Sequence, residues 1–82
     1  MTISAFTSIQ EQQLEQGFYE ATMEYQSQQD AFNRASRAFQ VCPSASNHRM
    51  LEASALSLQD AYSRKNDARE ILESYRAELE SE

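Results

Sequence analysis

The sequence predicts an all-α protein: an antiparallel two-helix hairpin of the coiled-coil type, with helices at about residues 8–41 and 46–79. Three observations predict it. Phe18, Tyr25, Phe32 and Phe39 recur every seven residues. Leu51, Leu58, Lys65, Leu72 and Leu79 do the same in the second half. The 82 residues contain a single Gly and a single Pro, too few turn formers for a sheet protein. Leu, Ile, Val and Phe supply only 14 of the 82 residues, about 17%. That is below the roughly 20% under which disorder is suspected. A disordered chain has no reason to hold a seven-residue spacing, and the spacing decides for helix.

The first helix carries Leu14, Ala21, Gln28, Ala35 and Cys42 between its aromatics, at alternating offsets of three and four. Large residues fill one core position and mostly small ones the other. Thr7–Gln10 and Ser8–Glu11 both fit a capping box, which places the helix start near residue 8. Pro43 disfavours helical geometry at Cys42, so the helix ends near Val41. Gly17 is its weak point, costing about 1 kcal/mol against Ala in mid-helix. Residues 43–47, Pro-Ser-Ala-Ser-Asn, form the only turn-like cluster, and Ser44, Ser46 and Asn47 are candidate caps for the second helix. That helix sets Ser54, Ala61, Ala68 and Tyr75 between its large seam residues. Asp30–Arg34 and Asp60–Arg64 are i,i+4 pairs in the favourable order, worth about 0.2–0.5 kcal/mol each. The chain is one domain, 1–82, with 1–7 and 80–82 expected to be loose.

Folding about residue 45 brings Phe39 to Leu51, Phe32 to Leu58, Tyr25 to Lys65 and Phe18 to Leu72. The one polar break in the second seam thus meets the one seam aromatic of the first that has a hydroxyl. Lys65 is expected to lay its methylenes on Tyr25 and send its ammonium to Glu20 or Glu24. An opened rod that dimerises would bury the same seam, and the Pro43 break favours the hairpin.

Composition narrows the function. The net charge is −6, and phosphate neutralisation needs a basic patch, so no nucleic-acid partner is expected. No apolar run approaches the ~18 residues of a membrane span, and no signal peptide is visible, which predicts a cytoplasmic protein without membrane insertion. One Cys excludes a disulfide scaffold. Cys42 and His48 are too few for a four-ligand structural zinc site. Cys42 reads as a small seam residue at the hairpin end, and His48 as a solvated residue near a helix start. One Gly rules out a glycine-rich phosphate loop. No catalytic, cofactor-binding or metal-binding residue is assigned, no cofactor is expected, and the chain is not expected to be an enzyme.

A two-helix hairpin buries one side of each helix, and chains this small have marginal cores. A partner surface is therefore expected. Its candidate residues are the apolar ones off the seam: Tyr19, Met23, Met50, Leu56, Tyr62 and Ile71, with Ile9 beside them. Ala31 and Ala38 widen the seam. The acidic stretches read as solvated faces, with an acidic docking surface for a basic partner as the alternative.

Pro43-Ser44, Met50-Leu51-Glu52, Leu58 and Ala61-Tyr62-Ser63 with Asn66 and Ala68 resemble the turn and second helix of bacterial type III secretion needle subunits. The overall plan is similar to the helical-hairpin co-chaperones that hold those subunits before export. The resemblance covers about residues 43–68. The acidic end, Ala77-Glu78-Leu79-Glu80-Ser81-Glu82, departs from a filament subunit and favours the co-chaperone. The resemblance implies a helical-hairpin binding module, a secretion chaperone or adaptor that packs on a partner helix. The alternatives are a self-assembling subunit built on a second copy of the chain (a four-helix dimer or filament) and an acidic inhibitor of a basic surface.

Overall fold

The computed structural model describes the backbone of residues 2–81 and the side chains of residues 8–81. Two α-helices, α1 (Thr2–Val41) and α2 (Ala45–Ser81), pack against each other as an antiparallel hairpin. α1 ends where Pro43 predicts, and α2 starts one residue early and runs two further. The start of α1 differs more: Thr7 and Ser8 lie inside the helix rather than at its cap. No Gly or Pro precedes residue 8, so nothing in the chain interrupts the helix there. One of the two capping pairs involves Thr7, whose side chain lies outside the described residues. The expected loose ends are helical from Thr2 and through Ser81, and Met1 and Glu82 lie outside the described residues.

The corner is built without a left-handed residue, since no described residue has positive φ. Ser44 N–H donates to the Cys42 carbonyl at 2.8 Å, closing a three-residue turn around Pro43, whose ring already holds φ near the required value. Of the three candidate caps, Ser44 performs the role: its Oγ accepts from the Asn47 N–H at 3.1 Å. Asn47 serves the other helix. Its Nδ2 donates to the carbonyls of Cys42 at 2.8 Å and Ala38 at 3.3 Å, both at the end of α1. One amide thereby adds a second donor to two carbonyls at the end of α1, which also accept from the Cys42 N–H (Ala38, 2.9 Å) and the Ser44 N–H (Cys42, 2.8 Å).

Burial follows the heptads. Leu14, Phe18, Ala21, Tyr25, Gln28 and Phe32 are half-buried along α1, as are Leu51, Ser54, Leu58, Lys65, Ala68, Tyr75 and Leu79 along α2. Only Ala35 (7% exposed), Ala61 (1%) and Leu72 (4%) are fully buried among the described residues. Ala61 lies deepest, since two helices approach most closely where side chains are short. Two expectations fail at the closed end. Cys42 is exposed, because the chain leaves the helix before its side chain turns inward. Ala38 is also exposed, at the seam's outer edge.

The register is the one expected. Lys65 lies against Tyr25, with Nζ 4.9 Å from the ring centroid. The ammonium goes over the ring face, however, and not to Glu20 or Glu24. Those carboxylates accept instead from Gln16 Nε2 at 3.1 Å and Gln28 Nε2 at 3.0 Å, each one turn away on α1. An ammonium over an aromatic face gains from the ring's negative quadrupole while its stem stays packed. Asp60–Arg64 pairs at 3.0 Å, and Asp30–Arg34 does not pair.

Candidate protein-binding surface

The hairpin measures 62 × 17 × 12 Å, with a radius of gyration of 18.4 Å. A compact chain of this length would have about 12 Å. Its accessible surface is 6240 Å², against roughly 5,000 Å² for a compact monomer of the same mass. The excess is displayed in part as bare apolar side chains.

Tyr19, Met23, Met50, Leu56, Tyr62 and Ile71 are all exposed, as are Ile9 and Val41. They do not share one face. Counting from the seam, Met23 and Leu56 fall five places after Phe18 and Leu51, on the backs of α1 and α2. Leu56 is 67% exposed there. Tyr62 falls four places after Leu58, on one edge of the hairpin, and Tyr19 lies towards the same edge. Met50 and Ile71 fall one place before Leu51 and Leu72, on the opposite edge.

The Tyr62 edge is closed by polar and aromatic contacts. Tyr62 packs on Tyr25, ring centroids 5.6 Å apart. Nearer the open end, Arg76 reaches from α2 to both Glu11 (2.8 Å) and Glu15 (2.5 Å) of α1. The hydrogen bond to Glu11 is the main cause of a guanidinium held above its ordinary pKa. Arg76 therefore stays charged at every ordinary pH. At the closed end Phe39 stacks at a tilt on His48 at 5.6 Å, and His48 Nδ1 lies 3.2 Å from Glu52.

The Ile71 edge is open. Along it runs a shallow groove of about 680 Å³, lined by Leu14 of α1 and by Asp67, Glu70, Ile71, Ser74, Tyr75 and Glu78 of α2. Ile71 is 56% exposed beside it. A smaller recess adjoins it around Leu14 and Tyr75, where the Tyr75 hydroxyl donates to Gln10 Oε1 at 3.0 Å. Further along the same edge a third recess is lined by Gly17, Ala21, Glu24, Ala61 and Arg64 among others. A Cβ on Gly17 would meet nothing within 4 Å.

Sequence reasoning singled out Ile71 but not the groove. Leu14 and Tyr75 read as seam residues, and they are half-buried ones. The signal was present: both are the last small-position seam residues before the open end, and Ile71 flanks them. Depth between helices, however, is not a property of heptad letters.

Among the described residues no group of three or more His, Cys, Asp or Glu could hold a metal ion, and no helix is long and apolar enough to cross a membrane. No family model matches the chain, and no curated protein or solved structure is similar to it.

Proposed function

We propose that this chain is a non-enzymatic protein-binding module that packs its exposed apolar residues on a partner helix. The observation that carries the reading is the surface excess: about 1,200 Å² more than a compact monomer of this mass exposes. A standard interface covers about 800 Å² on each partner. The proposed contact residues come from Tyr19, Met23, Met50, Leu56, Tyr62 and Ile71, and because these lie on both edges and both backs a single partner helix engages one of these groups at a time. The type III secretion resemblance of residues 43–68 supports a chaperone or adaptor role within this class, in the cytoplasm.

Two measurements test the reading on the full chain. Light scattering at two concentrations should give the same monomer mass. Affinity capture should retain a distinct protein partner in ~0.5 M salt, where screening lengths fall to a few Å and purely acidic mimicry is lost. Met23→Asp with Tyr62→Asp, or Ile71→Asp, should weaken capture while leaving helicity intact. A chain that builds its own dimer or filament refutes the proposal, and loss of helicity would place these residues in the core.

A further inference from the structure

We propose that the open-edge groove receives a partner helix that is both apolar and basic. Resting on the binding-module reading above, this names the partner's chemistry and the face it occupies.

The floor selects for apolar side chains: Leu14, Ile71 and Tyr75 line it. The rim selects for cations. Asp67, Glu70 and Glu78 stand along it, and none is ion-paired within the described residues. Of the carboxylates nearby, Glu20 accepts from the neutral Gln16, Glu80 is not ion-paired within the described residues, and four are served by arginines. Glu11 and Glu15 share Arg76, Glu73 faces Arg69 at 4.0 Å and Asp60 holds Arg64. Arg76 serves the Tyr62 edge and Arg69 the solvent side of α2, while Arg64 lies farther along the open edge, where Asp60 already holds it. Its groove carries three carboxylates with no counter-ion among the described residues. Asp67 and Glu70 are three residues apart on one helix, where like charges repel. Lysine or arginine beside a bound apolar stripe removes that repulsion and keeps the stripe's flanks hydrated.

The groove is too open for a small molecule, because such sites bury most of their ligand and supply several convergent polar groups. A second copy is the wrong sign. It brings a net charge of −6 and, groove to groove, doubles the three carboxylates. A helix fits the length. The edge runs from Glu78 past Ile71 and Asp67 to Ala61 and Gly17, which matches a partner segment of about 18 residues, roughly 27 Å.

The test titrates the full chain with two synthetic amphipathic peptides of that length, followed by amide NMR shifts. Both carry the same leucine–isoleucine stripe, flanked by lysine and arginine in one and by glutamate in the other. The basic peptide should bind at least tenfold more tightly and shift Leu14, Ile71, Ser74 and Tyr75. Its advantage should shrink in ~0.5 M salt. Ile71→Asp should weaken it at least tenfold with unchanged helicity. Asp67→Lys with Glu70→Lys, both at exposed positions, should reverse the peptide preference. Equal affinities, or no binding of either peptide, overturn the proposal. Shifts centred on Tyr19, Met23 and Tyr62 overturn the groove while leaving the module reading intact. Self-association of the chain in place of peptide binding overturns both.

Discussion

Gly17 and Ala61 show how one position's surroundings set the sign of a substitution. Gly17 is exposed in mid-helix, and an added Cβ touches nothing. Gly17→Ala should therefore stabilise the fold by up to about 1 kcal/mol, read as a higher urea midpoint. Ala61 is 1% exposed at the closest approach of the helices. Ala61→Leu should destabilise by about 1–3 kcal/mol despite adding apolar atoms, because the helices must part to admit it. Leu72→Ala should cost about 2–5 kcal/mol, a large share of what a small domain has. Phe32 is only half-buried, so Phe32→Ala should cost less than the ~3–5 kcal/mol of a fully enclosed phenylalanine. Denaturant titrations of the four variants give the order directly. The heptad pattern named all but Gly17 as seam positions. It did not rank them, because depth depends on how near the two axes come at each layer.

At the scale of elements, the corner carries the connection. Ser44 caps α2 and Asn47 closes α1, so one four-residue stretch terminates both helices. Ser44→Ala should cost about 0.5–2 kcal/mol. Asn47→Ala should add a second, smaller loss, since it removes the side-chain donor while the Ala38 and Cys42 carbonyls keep their backbone donors. The two substitutions should not be additive, because they share one turn. Thermal melts of the single and double variants measure the coupling. The sequence offered the right candidates here and could not choose among Ser44, Ser46 and Asn47, because each is a competent cap in isolation. At the other end, Arg76→Ala should loosen the open end, seen as faster amide exchange near Glu11 and Tyr75, and added salt should mimic it in part. The effect should be flat with pH on the basic side. A guanidinium whose folded pKa is raised keeps its contribution below its unfolded value and loses it only as pH climbs through the folded one.

For the whole molecule, the dominant fact is a narrow core. Three fully buried residues among those described, in a body 62 Å long, leave both backs and one edge to solvent. A hairpin so built leaves much of its apolar surface bare. The two edges differ in kind: one is tied by Arg76 and stacked by Tyr62 on Tyr25, and the other is a groove rimmed by carboxylates. Under the proposed binding function, that asymmetry predicts a preferred side for a partner. Partner binding should accordingly protect the Ile71 edge from amide exchange more than the Tyr62 edge, and equal protection of both would remove the preference.

The sequence by itself determined the helices, the turn and the register. Seven-residue spacing, a lone proline and one lysine opposite one tyrosine suffice for those, because they act locally or through period. It also identified Tyr19, Met23, Met50, Leu56, Tyr62 and Ile71 as off-seam. Heptad counting also divides these six among separate faces, and only the tertiary structure decided that Lys65 prefers the Tyr25 ring to a carboxylate. It alone decided that Leu14 and Tyr75 floor a groove. Those outcomes depend on the distance between two helix axes and on competition for each charge, and neither is written along a single helix.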